Sequence, residues 1–173
     1  MLAPSNAERQ AKPLYTPEQR RLRDASPWTL VQGILAPLQF VVFLVSLYLV
    51  LVYLHTGEGY GAATLSIIIK TLTLYTIMIT GALWERAVFG RYLLAPAFYW
   101  EDMVSFIVIT LHTAYLVALA TGWLGARALM LLALAAYVTY VINAVQFLLK
   151  LRAARLQGNQ NFAASASHRE VLS

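Results

Sequence analysis

The chain has 173 residues, of which 60% are hydrophobic and only 12% charged, with a formal net charge of +5. A soluble domain of this size carries roughly twice that charged fraction, so the composition points to a single membrane domain and away from a water-soluble enzyme. The absence of cysteine excludes disulfides, thiolate zinc sites, iron–sulfur clusters and thiol nucleophiles together.

Residues 1–25 read as a flexible polar arm. It contains Pro4, Pro13 and Pro17 and no apolar core, so it does not read as a cleavable signal peptide. Ser26-Pro27-Trp28 is a helix start: Ser26 is suited to cap free N–H groups, and Pro27 to the first helical position, where no N–H is needed. A first span is expected from Leu30 to Leu54, kinked at Pro37, with Gln39 nearby. The glycine-rich connection His55–Gly61 leads to a second span from Ala62 to Trp84, which contains Lys70. A polar and aromatic connection from Glu85 to Tyr99 carries Arg86 and Arg91. The third span runs from Trp100 to Thr121, a tight turn follows at Gly122–Gly125, and the fourth span runs from Ala126 to Leu149. The segment 157–173, rich in Asn, Gln, Ser and Ala, reads as a disordered tail.

Each span has about 20 residues or more, enough to cross ~30 Å of hydrocarbon as a helix. Strands are ruled out by the lack of alternating segments of ~10 residues. The expected fold is therefore all-α: a polytopic membrane protein with a four-helix transmembrane domain over residues 26–156. Eleven of the thirteen Lys and Arg residues lie in the arm, the 85–99 connection and the C-terminal segment. That bias places both termini in the cytoplasm, against anionic lipid headgroups. The same clustering at membrane ends argues against nucleic-acid binding.

Ionisable residues in or beside hydrocarbon are costly and usually have partners or a function. Glu101 and Asp102 start the third span, where carboxylates also complement the helix dipole. Glu101, Ser105, Val108, His112 and Tyr115 recur at helical spacing, so they form one stripe that belongs inside the bundle. Glu85 ends the second span at the same side as Glu101 and Asp102. Clustered, partly buried carboxyls keep a proton on one member; a salt bridge from Glu85 to Arg86 or Arg91 is the competing arrangement. Counted along their spans, Lys70 and His112 lie at similar depth and are placed to share a polar pocket, against the alternative that Lys70 snorkels. For His112 an interhelical hydrogen bond, a pigment-metal ligand and a proton carrier all remain open. Gln39, Asn143 and Gln146 read mainly as interhelical hydrogen-bonding amides. Trp84, Phe98, Tyr99 and Trp100 form an interfacial belt that also suits a planar ligand.

No phosphate loop, zinc-spaced His/Cys set or nucleophile elbow is present. Several strings are more specific than any of these signals: Pro27-Trp28-Thr29-Leu30-Val31-Gln32-Gly33 continuing to Phe40, Thr56-Gly57-Glu58-Gly59-Tyr60, Trp84-Glu85-Arg86-Ala87-Val88-Phe89-Gly90-Arg91, Ala95 to Asp102, Leu111 to Leu116, and Gln146 to Leu156. Over residues 15–156 the chain resembles the 3-vinyl bacteriochlorophyllide hydratases of phototrophic bacteria. The resemblance implies a hydro-lyase of bacteriochlorophyll biosynthesis in the inner photosynthetic membrane, adding water to the C3-vinyl group of chlorophyllide a or bacteriochlorophyllide. It implies no cofactor, the magnesium arriving with the substrate. Candidate catalytic residues are Glu101, Asp102, Glu85 and His112, the last also a candidate axial ligand to the substrate magnesium. Arg86 and Arg91 suit the pigment's propionate, and Lys70, Gln39, Asn143 and Trp100 complete the expected binding set. A non-catalytic pigment carrier shares the same pocket and stands as the alternative. A second copy of the chain and other enzymes of the pigment pathway are further partners left open.

Overall fold

A computed structural model describes residues 14–171, with only the backbone described for residue 154 and for residues 157–171. The expected arm therefore lies outside the described residues from 1 to 13. Five helices follow in order: α1 (Pro17–Ala25), α2 (Pro27–Thr56), α3 (Tyr60–Phe89), α4 (Tyr99–Thr121) and α5 (Ala126–Val171). The last four contain the four stretches long and apolar enough to cross a membrane, the fourth being Ala126–Ala153. The spans agree with those expected from hydropathy, extended by a few residues at most ends. The orphan carbonyls at the ends of α2 and α4 meet Gly57 (φ 79°) and Gly122 (φ 64°), left-handed positions that an L side chain resists.

Three expectations change. Residues 17–25 are a helix, not part of a flexible arm: Thr16 and Gln19 form a reciprocal capping box, and Pro17 occupies the first turn. The helix is anchored because Tyr15 is buried beside Phe89 and Phe98. Ser26 takes the N-cap position of α2, but its side chain makes no capping bond. Instead the Thr29 hydroxyl donates to the Arg23 carbonyl at 2.6 Å and accepts from the Trp84 indole N–H at 3.0 Å, tying α1, α2 and α3 together. Finally, α5 continues to Val171, into the segment expected to be a disordered tail. That segment has no proline and one glycine, so helical propensity meets little opposition.

α2 packs closely on α3, and α4 on α5, as two antiparallel hairpins. A core of Phe43, Val50, Ile67, Leu74, Val108, Tyr115, Met130 and Tyr137 joins them. A second, aromatic cluster caps one end, where Tyr15, Val88 and Phe98 bury against Trp84, Phe89 and Phe147. Aromatic pairs of this kind add about 0.5–1.5 kcal/mol each beyond their area. This end also carries α1, the α3–α4 loop and Lys150, and it positions the acidic residues.

Candidate active site

The buried face of α4 is Glu101, Asp102, Ser105, Val108, His112, Tyr115 and Ala118. This is the stripe read from helical spacing, turned inward because the opposite faces meet lipid. It carries two polar centres.

The first lies at the aromatic end. Glu85 and Asp102 are 5% and 3% exposed, and their carboxyl groups are neighbours across α3 and α4. The α3–α4 loop closes over them with two successive backbone donors. Leu94 N–H donates to Asp102 Oδ2 at 2.7 Å, and Ala95 N–H donates to Glu85 Oε2 at 3.2 Å. Leu94 holds φ 58°, a left-handed backbone costing about 1–2 kcal/mol for an L side chain. The loop keeps this strain where its N–H reaches a buried carboxyl. Like charges held together away from water are costly, and a proton on one carboxyl relieves that cost.

Glu101 is turned differently. Its Oε2 accepts from Lys150 Nζ at 2.5 Å, while the Asn143 amide donates to the Glu101 carbonyl at 2.8 Å and to Ser105 Oγ at 3.0 Å. Glu101 and Asn143 thus dock α4 on α5, and the ammonium also stands 5.0 Å from the Phe98 ring centre. Glu85 pairs with the loop amide rather than with a neighbouring arginine. The Arg86 guanidinium lies 4.5 Å from the Tyr92 ring centre, and both Arg86 and Arg91 are exposed.

The second centre lies deeper. Lys70 is 0% exposed and His112 1% exposed. Lys70 Nζ stands 2.8 Å from His112 Nε2, and His112 Nδ1 stands 2.8 Å from the Val108 carbonyl. The carbonyl can only accept, so Nδ1 carries the proton and Nε2 accepts from lysine. The amine also sits 3.9 Å from the Tyr140 ring centre and 5.6 Å from that of Tyr137, a cation–π arrangement worth up to about 2 kcal/mol when desolvated. Tyr137 hydroxyl is 2.5 Å from Ser46 Oγ, which is 2.8 Å from Ser66 Oγ. Lys70 therefore joins its partners inside the bundle and does not snorkel.

The two centres are ten residues apart along α4, about 15 Å at 1.5 Å per residue. That exceeds the distance from the middle of a chlorin ring to its rim substituents. One bound pigment cannot put its vinyl group at Asp102 and its magnesium at His112 together. Both nitrogens of His112 are also engaged. Gln39 is buried in α2, and Trp100 faces outward at 71% exposure. Sequence reasoning missed the Leu94 and Ala95 amides, Lys150, and the Tyr137–Tyr140 rings. The spacing of Tyr137 and Tyr140 on one helical face was the available signal for the rings; backbone donors leave none.

Residues 15–153 match the sequence family described as 2-vinyl bacteriochlorophyllide hydratase (BCHF). The chain belongs to this family. It is 67% identical over 155 residues to the 2-vinyl bacteriochlorophyllide hydratase of Rhodobacter capsulatus, covering 90% of this chain and 89% of the relative. It is 71% identical over 143 residues to the protein of the same name from Cereibacter sphaeroides, covering 83% of this chain and 89% of the relative. No solved structure matches the chain. The family's 2-vinyl and the 3-vinyl named above are one substituent in the older and the systematic numbering of the tetrapyrrole ring. In this member of the bacteriochlorophyllide hydratase family the matched region spans α1, the acid pair, the Lys70–His112 centre and all four spans.

Proposed function

We propose that the chain hydrates the vinyl group of chlorophyllide a or a bacteriochlorophyllide, giving the 1-hydroxyethyl pigment, and that the Glu85–Asp102 pair supplies the proton. The observation that carries this reading is the burial of two carboxyls under one loop, whose successive Leu94 and Ala95 amides each hold one of them. The family and the names of its relatives support the reaction class over a non-catalytic carrier.

The steps balance without a redox partner or a metal of the protein's own. The protonated carboxyl gives its proton to the terminal vinyl carbon, and the carbon attached to the ring becomes a cation stabilised by the conjugated macrocycle. The oxygen of a water attacks that carbon. The water's surplus proton passes to the carboxylate left behind, which restores the pair. Net change is addition of one water. A low-dielectric site favours this use of a carboxylic acid, as it favours the neutral form before transfer. Glu101, held by Lys150, orients the start of α4 in this scheme rather than giving the proton. Arg86 and Arg91, exposed at the same end, suit anionic headgroups in this pose, because the propionate stands on the ring edge away from the vinyl group and hence away from the acids. Lys70 and His112 serve as a buried link between α3 and α4, and Asn143 as a link between α4 and α5. The basic end lies in the cytoplasm and the membrane is the inner photosynthetic membrane; the distribution of Lys and Arg supports the orientation.

Purified protein in detergent, incubated with chlorophyllide a and read by chromatography with mass detection, is expected to yield a product heavier by one water. Pigment that binds and leaves unchanged would favour the carrier.

A further inference from the structure

The acid pair is closed. Among the described residues two grooves stand out, one of about 320 Å³ beside Leu38 and Leu72 and one of about 430 Å³ beside Thr113 and Trp123. Neither is lined by Glu85 or Asp102, so a macrocycle needs another way in. The two hairpins differ from the seam between them. α2 turns into α3 through Gly57–Gly59, and α4 into α5 through Gly122–Gly125, both short and tightly packed. α3 and α4 are joined by the longer Gly90–Phe98 loop and pack less closely than the helices within either hairpin.

Besides the deep Lys70–His112 link, two polar contacts bound that seam, a buried one at the acids and an exposed one further along the spans. Glu85 meets Asp102 at one end, and Tyr75 hydroxyl lies 2.7 Å from Thr113 Oγ1 at the other. Between them, helical spacing puts Ala82 and Met78 of α3 on the face of Glu85 and Tyr75. It puts Phe106 and Ile109 of α4 on the face of Asp102 and Thr113. The interval is ten residues on α3 and eleven on α4, about 15 Å at 1.5 Å per residue, of the order of a chlorin's breadth. Ala82 is small, and Met78 is unbranched and adaptable. On the far side, Phe43 of α2 packs on Tyr137 and Tyr140 of α5 with ring centres 5.4 and 5.0 Å apart, a contact able to hold the hairpins together while the near side parts.

Resting on the hydratase reading, we propose that the planar pigment enters from the membrane between α3 and α4. It lies edge-in between the Glu85–Asp102 and Tyr75–Thr113 bridges, with its vinyl edge at the acids. Apolar walls with polar groups at both ends suit a flat apolar ring bearing polar substituents at its rim.

The test is pigment binding, followed by the absorbance shift of chlorophyllide a, alongside water addition. Ala82→Trp fills the slot and is expected to weaken binding at least about tenfold. Val145→Trp, on the exposed face of α5, is expected to bind as the parent does. Ala82→Trp binding with parental affinity would overturn the slot. Because a bulky residue can also disturb folding, a second arm uses the absence of cysteine. Tyr75→Cys with Thr113→Cys, joined by a short reversible bifunctional thiol reagent, is expected to lose binding when joined and regain it on reduction. Unchanged binding when joined would remove the seam as the path. A parent protein that binds pigment without adding water, with Ala82→Trp losing that binding, would keep the slot and sink the hydratase reading alone.

Discussion

Asp102 accepts a loop N–H through one oxygen and faces Glu85 with its carboxyl. An asparagine in its place keeps an oxygen for Leu94 but has no acidic proton to give. Asp102→Asn is therefore expected to lower turnover by about 10²–10⁴-fold, the usual worth of general acid catalysis, while circular dichroism and the thermal midpoint in detergent stay near the parent's. Full turnover at parental protein level would remove Asp102 from the mechanism. Glu101, one residue earlier, illustrates how much a turn of 100° decides. Its carboxylate meets a cation on α5, whereas that of Asp102 meets another acid on α3. Composition at the start of the third span announced two carboxylates, but only the packing of α3 and α5 on either side assigned them different partners.

At the scale of the helix, the inward stripe from Glu101 to Tyr115 was legible because helical periodicity survives any tertiary arrangement. The depth match of Lys70 and His112 was legible for a similar reason, since rise per residue is nearly constant. What was not legible depends on backbone that side-chain types do not report: the left-handed Leu94, its N–H on Asp102, and Tyr15 anchoring α1. The deep pair makes a prediction of its own. Lys70→Met keeps most of the side-chain volume and leaves His112 Nε2 without its donor. An orphaned buried acceptor costs about 1–3 kcal/mol, so the thermal midpoint should fall while turnover per folded molecule holds. A thermal midpoint unchanged with turnover lost would instead draw the Lys70–His112 centre into the chemistry.

For the molecule as a whole, the acid pair, the exposed arginines, α1 and Lys150 all gather at one end of the bundle, and the opposite end carries the Gly57–Gly59 turn with Glu58. Four spans return the chain to the side where it began, so these features share a side whatever the orientation. The proposed orientation rests on charge: Lys and Arg beside spans favour the cytoplasm, and the connections at the other end carry Arg127 alone among the Lys and Arg residues. Because the chain has no cysteine, single substitutions report accessibility without background. Glu58→Cys is expected to react with a membrane-impermeant maleimide on intact cells, and Arg91→Cys only after the membrane is opened. The reverse pattern would turn the bundle over and put the acid pair outside. The positive-inside argument would then fail, although the contacts among Glu85, Asp102, Leu94 and Ala95 would stand, because they belong to the packing of α3 on α4 and not to the membrane's asymmetry.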